Sequence, residues 1–220
     1  MDVSKGVSNK RRPRLVAIVG GSGAGKSWLA AQLERKLGKG VVRLSLDDFY
    51  RDRSHLPLAR REKINFDHPA AIDWGYVEKV LRNCMVGRTG PCPQYDFATH
   101  SRKPRVGKLK PKGIVIMDGL WLLRRPAIRR LFDCRIFLEC PEDLRFSRRL
   151  RRDLQDRGRT PAAIRRQFQN CVLPMHRKYV ASQRRWANVV LDSHTVEEGI
   201  KELVARLHTG RKGRRKQVSL

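Results

Sequence analysis

Apolar positions in this chain fall into short solid runs separated by stretches of helical period. Leu15-Val16-Ala17-Ile18-Val19 is the first run and reads as a strand buried on both faces. Trp28 to Leu37 follow as a helix, Gly38 and Gly40 break the chain, and Val41 to Leu46 predict a second strand that ends in Asp47-Asp48-Phe49-Tyr50. Residues 69–85 carry Ile72, Val77, Val80, Leu81 and Cys84 at helical spacing, and Gly87 to Pro93 read as a turn-rich break. Gly113 to Gly119 predict a third strand, residues 126–132 a short helix, and Cys134 to Leu138 a fourth strand. Residues 142–187 read as helical, broken at Gly158, Pro161 and Pro174. Asn188 to Leu191 predict a last strand, and Thr195-Val196-Glu197-Glu198 is a capping box that opens a final helix. Strands alternating with helices predict an α/β fold: a mostly parallel sheet covered on both faces, with ligands at the carboxyl ends of its strands.

Composition narrows the class. No window is apolar for long enough to span a membrane, and the first apolar run is too short for a secretory signal, so no membrane association is expected. The five cysteines are scattered without a C-x-x-C pair, which predicts free thiols and a cytoplasmic location, and the histidines show no spacing for a transition metal. Lys and Arg number 49 against 21 Asp and Glu, a formal net charge of +28. Such a surface attracts polyanions in a salt-dependent, non-specific way. Basic segments bracket the chain, which divides into a basic arm (1–13), a single domain (14–209) and a basic tail (210–220).

Candidate chemistry begins at Gly20-Gly21-Ser22-Gly23-Ala24-Gly25-Lys26-Ser27, which completes the phosphate-binding P-loop pattern between a strand and a helix that begins at Trp28. Its glycines let backbone N–H groups turn inward around phosphate oxygens at a helix N-terminus, Lys26 reaches the β- and γ-phosphates, and the Ser27 hydroxyl ligates Mg²⁺. The loop therefore predicts a P-loop NTPase-type three-layer fold that binds ATP, through Gly20 to Ser27 and Trp28, together with Mg²⁺. Lys26 stands where a dinucleotide fingerprint needs a third glycine, which excludes that reading. Asp118 ends an apolar strand, as an acid that holds the metal does, and Asp47 or Asp48 ends the neighbouring one, where a carboxylate can take the proton of an attacking hydroxyl.

Five segments in order then resemble the uridine (uridine–cytidine) kinases, within the phosphoribulokinase/uridine kinase group. They are Ser45-Leu46-Asp47-Asp48-Phe49-Tyr50, Asn65-Phe66-Asp67-His68-Pro69, Tyr95-Asp96-Phe97-Ala98-Thr99-His100-Ser101-Arg102, Arg151-Arg152-Asp153 with Asp156-Arg157-Gly158-Arg159, and Pro174-Met175-His176. The likeness covers residues 15–191, and the aromatic segment at 95–102 narrows it to uridine kinase. It implies transfer of the ATP γ-phosphoryl group to the 5′-hydroxyl of uridine, and of cytidine, in pyrimidine salvage. It implies Asp47 as the base, Asp67 on the ribose hydroxyls, Tyr95 and Phe97 flanking the pyrimidine, His100 on the base edge and Tyr50 framing the pocket. It further implies a substrate-binding hairpin around 93–102 and a helical lid over about 145–165. Arg149 and Arg159 of that lid, and Gln167 after it, touch substrate, while Arg152 and Arg157 act in catalysis. Members commonly assemble, so a homo-oligomer is implied.

Two departures bear on function. The family's Glu-Gly after the third strand is here Asp118-Gly119, and its Pro-Arg-Gly-Gly-like turn near the adenine is here Asp192-Ser193-His194-Thr195, which leaves donor preference open. The residues also admit a kinase for another small acceptor, such as ribosyl-nicotinamide, a pentose phosphate or pantothenate. A nucleotide-dependent nucleic-acid-binding protein is the reading the charge alone suggests.

Overall fold

Alternation along the first strand decides how the molecule is layered. Val16 and Ile18 pack into one hydrophobic cluster and Leu15, Ala17 and Val19 into another, all five fully buried. The structure, a computed structural model, describes residues 12–209. The arm before Arg12, the tail from residue 210 and the side chains of residues 156 and 157, including the proposed catalytic Arg157, lie outside the described residues.

β1 (Arg14–Gly20) leads through the glycine loop into α1 (Lys26–Leu37), then β2 (Val41–Ser45) and a 3₁₀ turn, Leu46–Phe49. α2 (Leu58–Arg61) and α3 (Trp74–Met85) precede four short strands: β3 (Gly90–Cys92), β4 (Tyr95–Asp96), β5 (Ser101–Arg102) and β6 (Gly107–Leu109). These form nested antiparallel pairs, β3 with β6 and β4 with β5. β7 (Ile114–Gly119), α4 (Pro126–Arg129), β8 (Cys134–Glu139) and α5 (Glu142–Arg157) follow. α6 (Pro161–Gln167) and α7 (Leu173–Met175) lie in one helical run that continues to Trp186, and β9 (Val189–Asp192) and α8 (Val196–Thr209) complete the described chain.

The central sheet has the order β2-β7-β1-β8-β9, every neighbouring pair parallel. α1 and α8 cover one face through Leu29, Ala30, Leu33, Ile200, Leu203 and Leu207. α3 covers the other through Val77, Val80, Leu81 and Cys84. The side chain of Asp73 caps α3 by accepting from the Tyr76 N–H. Each strand crossover is thereby buried on both sides, which is why the strands read as solid apolar runs.

The expected α/β class, parallel sheet, hairpin and helical lid are all present. Local differences have physical causes. Ile72 is not helical; it bridges Tyr50 in antiparallel fashion, and the helix starts two residues later at the Asp73 cap. Within the expected break at 87–93, Gly90–Cys92 is a strand because β6 supplies a partner from 17 residues away. Pro174 does not end its helix: π-helical turns at Phe168–Val172 and His176–Val180 flank it and absorb its missing N–H. At the N-terminus the fold takes in two residues expected in the arm, since Pro13 is buried and Arg12 pairs with Asp133 at 2.5 Å.

β7 ends where β2 turns into its 3₁₀ helix, and the packing there is tight. A Cβ on Gly119 would overlap the Cβ of the fully buried Leu46 and lie 2.8 Å from its Cδ2. Gly119→Ala is expected to destabilise the fold by about 1–3 kcal/mol, the usual range for overpacking a closed core, read from denaturant unfolding midpoints.

Candidate active site

The loop that leaves β1 turns on Gly23 (φ 80°) and Gly25 (φ 96°), values in the left-handed region that glycine adopts without strain. Gly25 also caps α1, so the first N–H groups of the helix open toward the loop. Lys26 Nζ donates to the Gly21 carbonyl at 2.9 Å, and Ser27 Oγ donates to Asp118 Oδ2 at 2.9 Å. Burial lowers the Lys26 pKa and raises that of Asp118, while each charge pulls the other back toward its ionised form. Ser27 and Asp118 present oxygen donors side by side, which suits Mg²⁺, a cation usually held by one or two carboxylates plus substrate phosphates. The groups that would hold the metal are therefore these two.

The structure separates the adjacent acids Asp47 and Asp48. Asp48 accepts from the Tyr95 N–H at 3.2 Å and so ties the hairpin to the sheet, and burial raises its pKa. Asp47, whose main-chain N–H is bonded to Ser45 Oγ, is near enough for its charge to act on both Lys26 and Asp118. Of the two, Asp47 is the carboxylate beside the phosphate loop.

Beyond Asp47 lies an aromatic cluster. Tyr50 packs at 5.2 Å from both Phe66 and Tyr95, Tyr95 lies 5.4 Å from Phe97, and His100 stacks on Phe66 at 4.8 Å and 14°. Tyr50 also donates to the Phe66 carbonyl. Tyr95 is buried, which pushes its phenol pKa up to about 12, and Phe97 is 44% exposed at the rim. Phe66, whose part was not anticipated, is the ring that joins Tyr50 to His100; its place between Asn65 and Asp67 was the available signal. Arg102, the last residue of the aromatic segment, anchors the hairpin by donating to the Tyr50 carbonyl and to Asp73 at 3.0 Å.

The lid helix α5 supplies the cations. Arg149 is buried and donates to Ser22 Oγ and Gln167 Oε1, both at 3.0 Å, and lies 3.9 Å from Asp67. Gln167 also accepts from Arg159 at 2.5 Å, so three of the expected substrate contacts, Arg149, Arg159 and Gln167, form one network against the phosphate loop. Fully buried Asp153 holds Arg149 at 3.3 Å and Arg152 at 2.7 Å. Trp28 belongs elsewhere: 43% exposed, it lines a cavity of about 440 Å³ with Gly25, Arg148, Ser193 and His194, on the side of the loop where the departures at 192–195 fall.

Arg145 and His176 were not among the expected site residues. Arg145 is 3% exposed, its Nε donates to the Cys140 carbonyl at 3.2 Å, and its Nη1 has no protein partner. It presses on the back of the phosphate loop: a Cβ on Gly21 would lie 2.8 Å from Arg145 Nη1 and 3.0 Å from His176 Nδ1, and one on Gly23 would overlap the Arg145 carbonyl. These glycines are thus required by the helix behind the loop as well as by the phosphate in front of it. Burial and the charges of Arg145, Lys26 and Arg177 push the His176 pKa down to about 4, so its imidazole is neutral at pH 7. The signal that could have found Arg145 is the spacing 145, 149, 153, which stacks three charges on one face of a helix.

Two outcomes follow from this packing. Arg145→Met is expected to weaken binding of a non-hydrolysable ATP analogue about tenfold, roughly 1.4 kcal/mol, by calorimetric titration, with Arg145→Lys recovering only part because it lacks the fork. His176 has a folded pKa below its unfolded value, so as pH falls below about 6.5 the unfolded chain gains the proton first and stability drops until about pH 4. Between pH 7 and pH 5 the wild type should lose about 1 kcal/mol more than His176→Gln in urea unfolding, a figure reduced for partial solvent access.

Comparison with known proteins places this geometry. Residues 15–198 match the family model "Phosphoribulokinase / Uridine kinase family". A curated uridine kinase of Clostridium perfringens is 36% identical over 182 residues, 82% of this chain and 88% of that protein. One from Alkaliphilus metalliredigens is 36% identical over 200 residues, 90% and 96% of the two chains. In fold, the chain is similar to phosphoribulokinase from Rhodobacter spheroides, with a TM-score of 0.62 at 16% identity over 83% of this chain and 71% of that one. It is likewise similar to D-glycerate 3-kinase from Cryptococcus neoformans, with a TM-score of 0.58 at 20% identity over 76% and 79%. With a phosphate loop, a metal-suited Ser–Asp pair and a cationic lid joined on one parallel sheet, the chain belongs to the phosphoribulokinase/uridine kinase family of kinases.

Proposed function

We propose that this kinase transfers the γ-phosphoryl group of ATP to the 5′-hydroxyl of uridine, and of cytidine, giving the nucleoside monophosphates of pyrimidine salvage. The observation that carries the reading is that Asp47, whose charge acts on Lys26, lies in the same short turn that leads into Tyr50 and so into the ring cluster of Phe66, Tyr95, Phe97 and His100. The likeness to curated uridine kinases over most of the chain supports it.

In this reading the pyrimidine lies against the ring cluster, with Phe97 as the exposed platform and His100 reading the base edge. Asp67, 3.9 Å from Arg149, accepts from the ribose hydroxyls, since a carboxylate has acceptor capacity for both. Asp47 takes the 5′-hydroxyl proton as the oxygen attacks. Phosphoryl transfer is governed by positioning and charge stabilisation, and Lys26, Arg149, Arg152, Arg157 and Arg159 supply the positive field. Mg²⁺ held by Ser27 and Asp118 would neutralise charge on the phosphate oxygens. Ala24 and Gly25 with Trp28 line the donor-base side of the loop.

The test is a nucleoside panel. Uridine and cytidine are expected to be turned over with ATP and Mg²⁺, and Asp47→Asn to lower kcat about 10²- to 10⁴-fold, the usual contribution of a general base, with uridine KM changed little. ATP hydrolysis or binding without turnover of any pyrimidine nucleoside would overturn the substrate assignment, and turnover of a pentose phosphate, ribosyl-nicotinamide or pantothenate would replace it.

A further inference from the structure

The charge excess is not absorbed by the active site. A second group of arginines collects at the opposite end of the sheet, around the start of β8. Arg129 of α4 and Arg185 each lie with the guanidinium 4.4 Å from the centre of the half-buried Trp186 ring. Arg129 is close enough to Arg130, Arg135 and Arg185 for all three to disfavour its charged form, with desolvation the larger cause. The charges of Arg14, Arg135 and Arg206, opposed by that of Asp133, act on Cys134 at the first position of β8. Arg12 pairs with Asp133.

Three of these arginines bond to neutral acceptors. Arg129 donates to the Leu123 carbonyl, Arg135 to the Asn188 side-chain oxygen and Arg14 to the Leu207 carbonyl. Arg130 and Arg185 are exposed. Both ends of the described chain lie at this pole, Arg12 through Asp133 and the end of α8 through Leu207, and the sequence continues from them with Lys10-Arg11 on one side and Arg211-Lys212-Gly213-Arg214-Arg215-Lys216 on the other. β1 runs from this pole to the phosphate loop, about 20 Å away at strand rise, so the cluster plays no part in phosphoryl transfer.

We propose that this pole, built on Arg129, Arg130, Arg135, Arg185 and Trp186, is a binding surface for single-stranded RNA. Every cation named in the folded part of the pole is arginine, whose planar fork bonds phosphate oxygens in pairs and stacks on bases. The Trp186 stack holds two of those planes beside the exposed Arg130, an arrangement suited to a flexible polyanion that carries bases. An anionic membrane would match the charge but would leave the planar stack without a function. Single-stranded RNA uses both properties.

The full chain is titrated with a fluorescein-labelled 20-nucleotide oligo(A) RNA, and anisotropy is followed over a series of salt concentrations. With about six phosphates contacted, log K is expected to fall with log salt at a slope near −4. Arg130→Gln with Arg185→Gln should weaken binding at least fivefold and reduce the slope by about 1.4, at an unchanged thermal midpoint. Arg130→Gln alone, an exposed site, should show about half of that slope change if the pair unfolds. Addition of a non-hydrolysable ATP analogue should not displace the RNA.

Unchanged affinity and slope in the arginine variants would overturn the proposal, as would displacement by the ATP analogue, which would place the RNA in the kinase site. Equal affinity for the same length of single-stranded DNA would overturn the assignment to RNA. Arginine-dependent binding to phosphatidylserine vesicles without RNA binding would assign the pole to a membrane instead.

Discussion

One buried carboxylate holds the site together. Asp153 lies fully inside the protein on the face of α5 that also carries Arg145 and Arg149, one helical turn apart each, and it neutralises Arg149 and Arg152 at close range. A kinase needs cations around its phosphate loop, yet several cations brought together out of water repel one another and resist burial. Asp153, with Asp67 at the far end of Arg149, makes the assembly tolerable without occupying the front of the loop. The same helix sets the loop itself, since the Arg145 side chain and carbonyl fill the space where Gly21 and Gly23 have no Cβ.

The aromatic hairpin hangs on this frame through few contacts. The hairpin that carries Tyr95, Phe97 and His100 is a pair of two- and three-residue ladders, too short to hold its position alone. Asp48 fixes it at one point through the Tyr95 N–H, and Arg102 at two more through Tyr50 and Asp73. Phosphate loop and hairpin are therefore tied together through adjacent residues, Asp47 by its charge on Lys26 and Asp48 by its bond to the Tyr95 N–H. The pole around β8 is separate in both position and chemistry, with two arginines stacked on an indole and three others bonded to neutral oxygens or, for Arg12, to Asp133.

How much of this was legible in the sequence follows the range of the interactions. The phosphate loop, the strands and the Asp118 position were readable because each is specified by neighbours a few residues away. The segments around Asp47, Asp67 and Tyr95 were readable through resemblance, which also suggested the lid arginines. Phe66 and Arg145 were not, because a ring between two turns and an arginine in an arginine-rich helix look like any others until something packs against them. Ile72 and Gly90–Cys92 were misread for a related reason: each takes its conformation from a partner strand distant in sequence.

The sequence by itself determined the α/β layering, the phosphate-binding loop and the set of residue types from which a kinase site could be made. Local periodicity and left-handed glycine turns are properties of short segments, so they survive without knowledge of the fold. Only the tertiary structure decided that Asp48 ties down the hairpin, which arginines are buried on carboxylates and which gather at the opposite pole. Those choices depend on desolvation and on charge-to-charge distance, and both are set by packing between segments that the chain order keeps far apart.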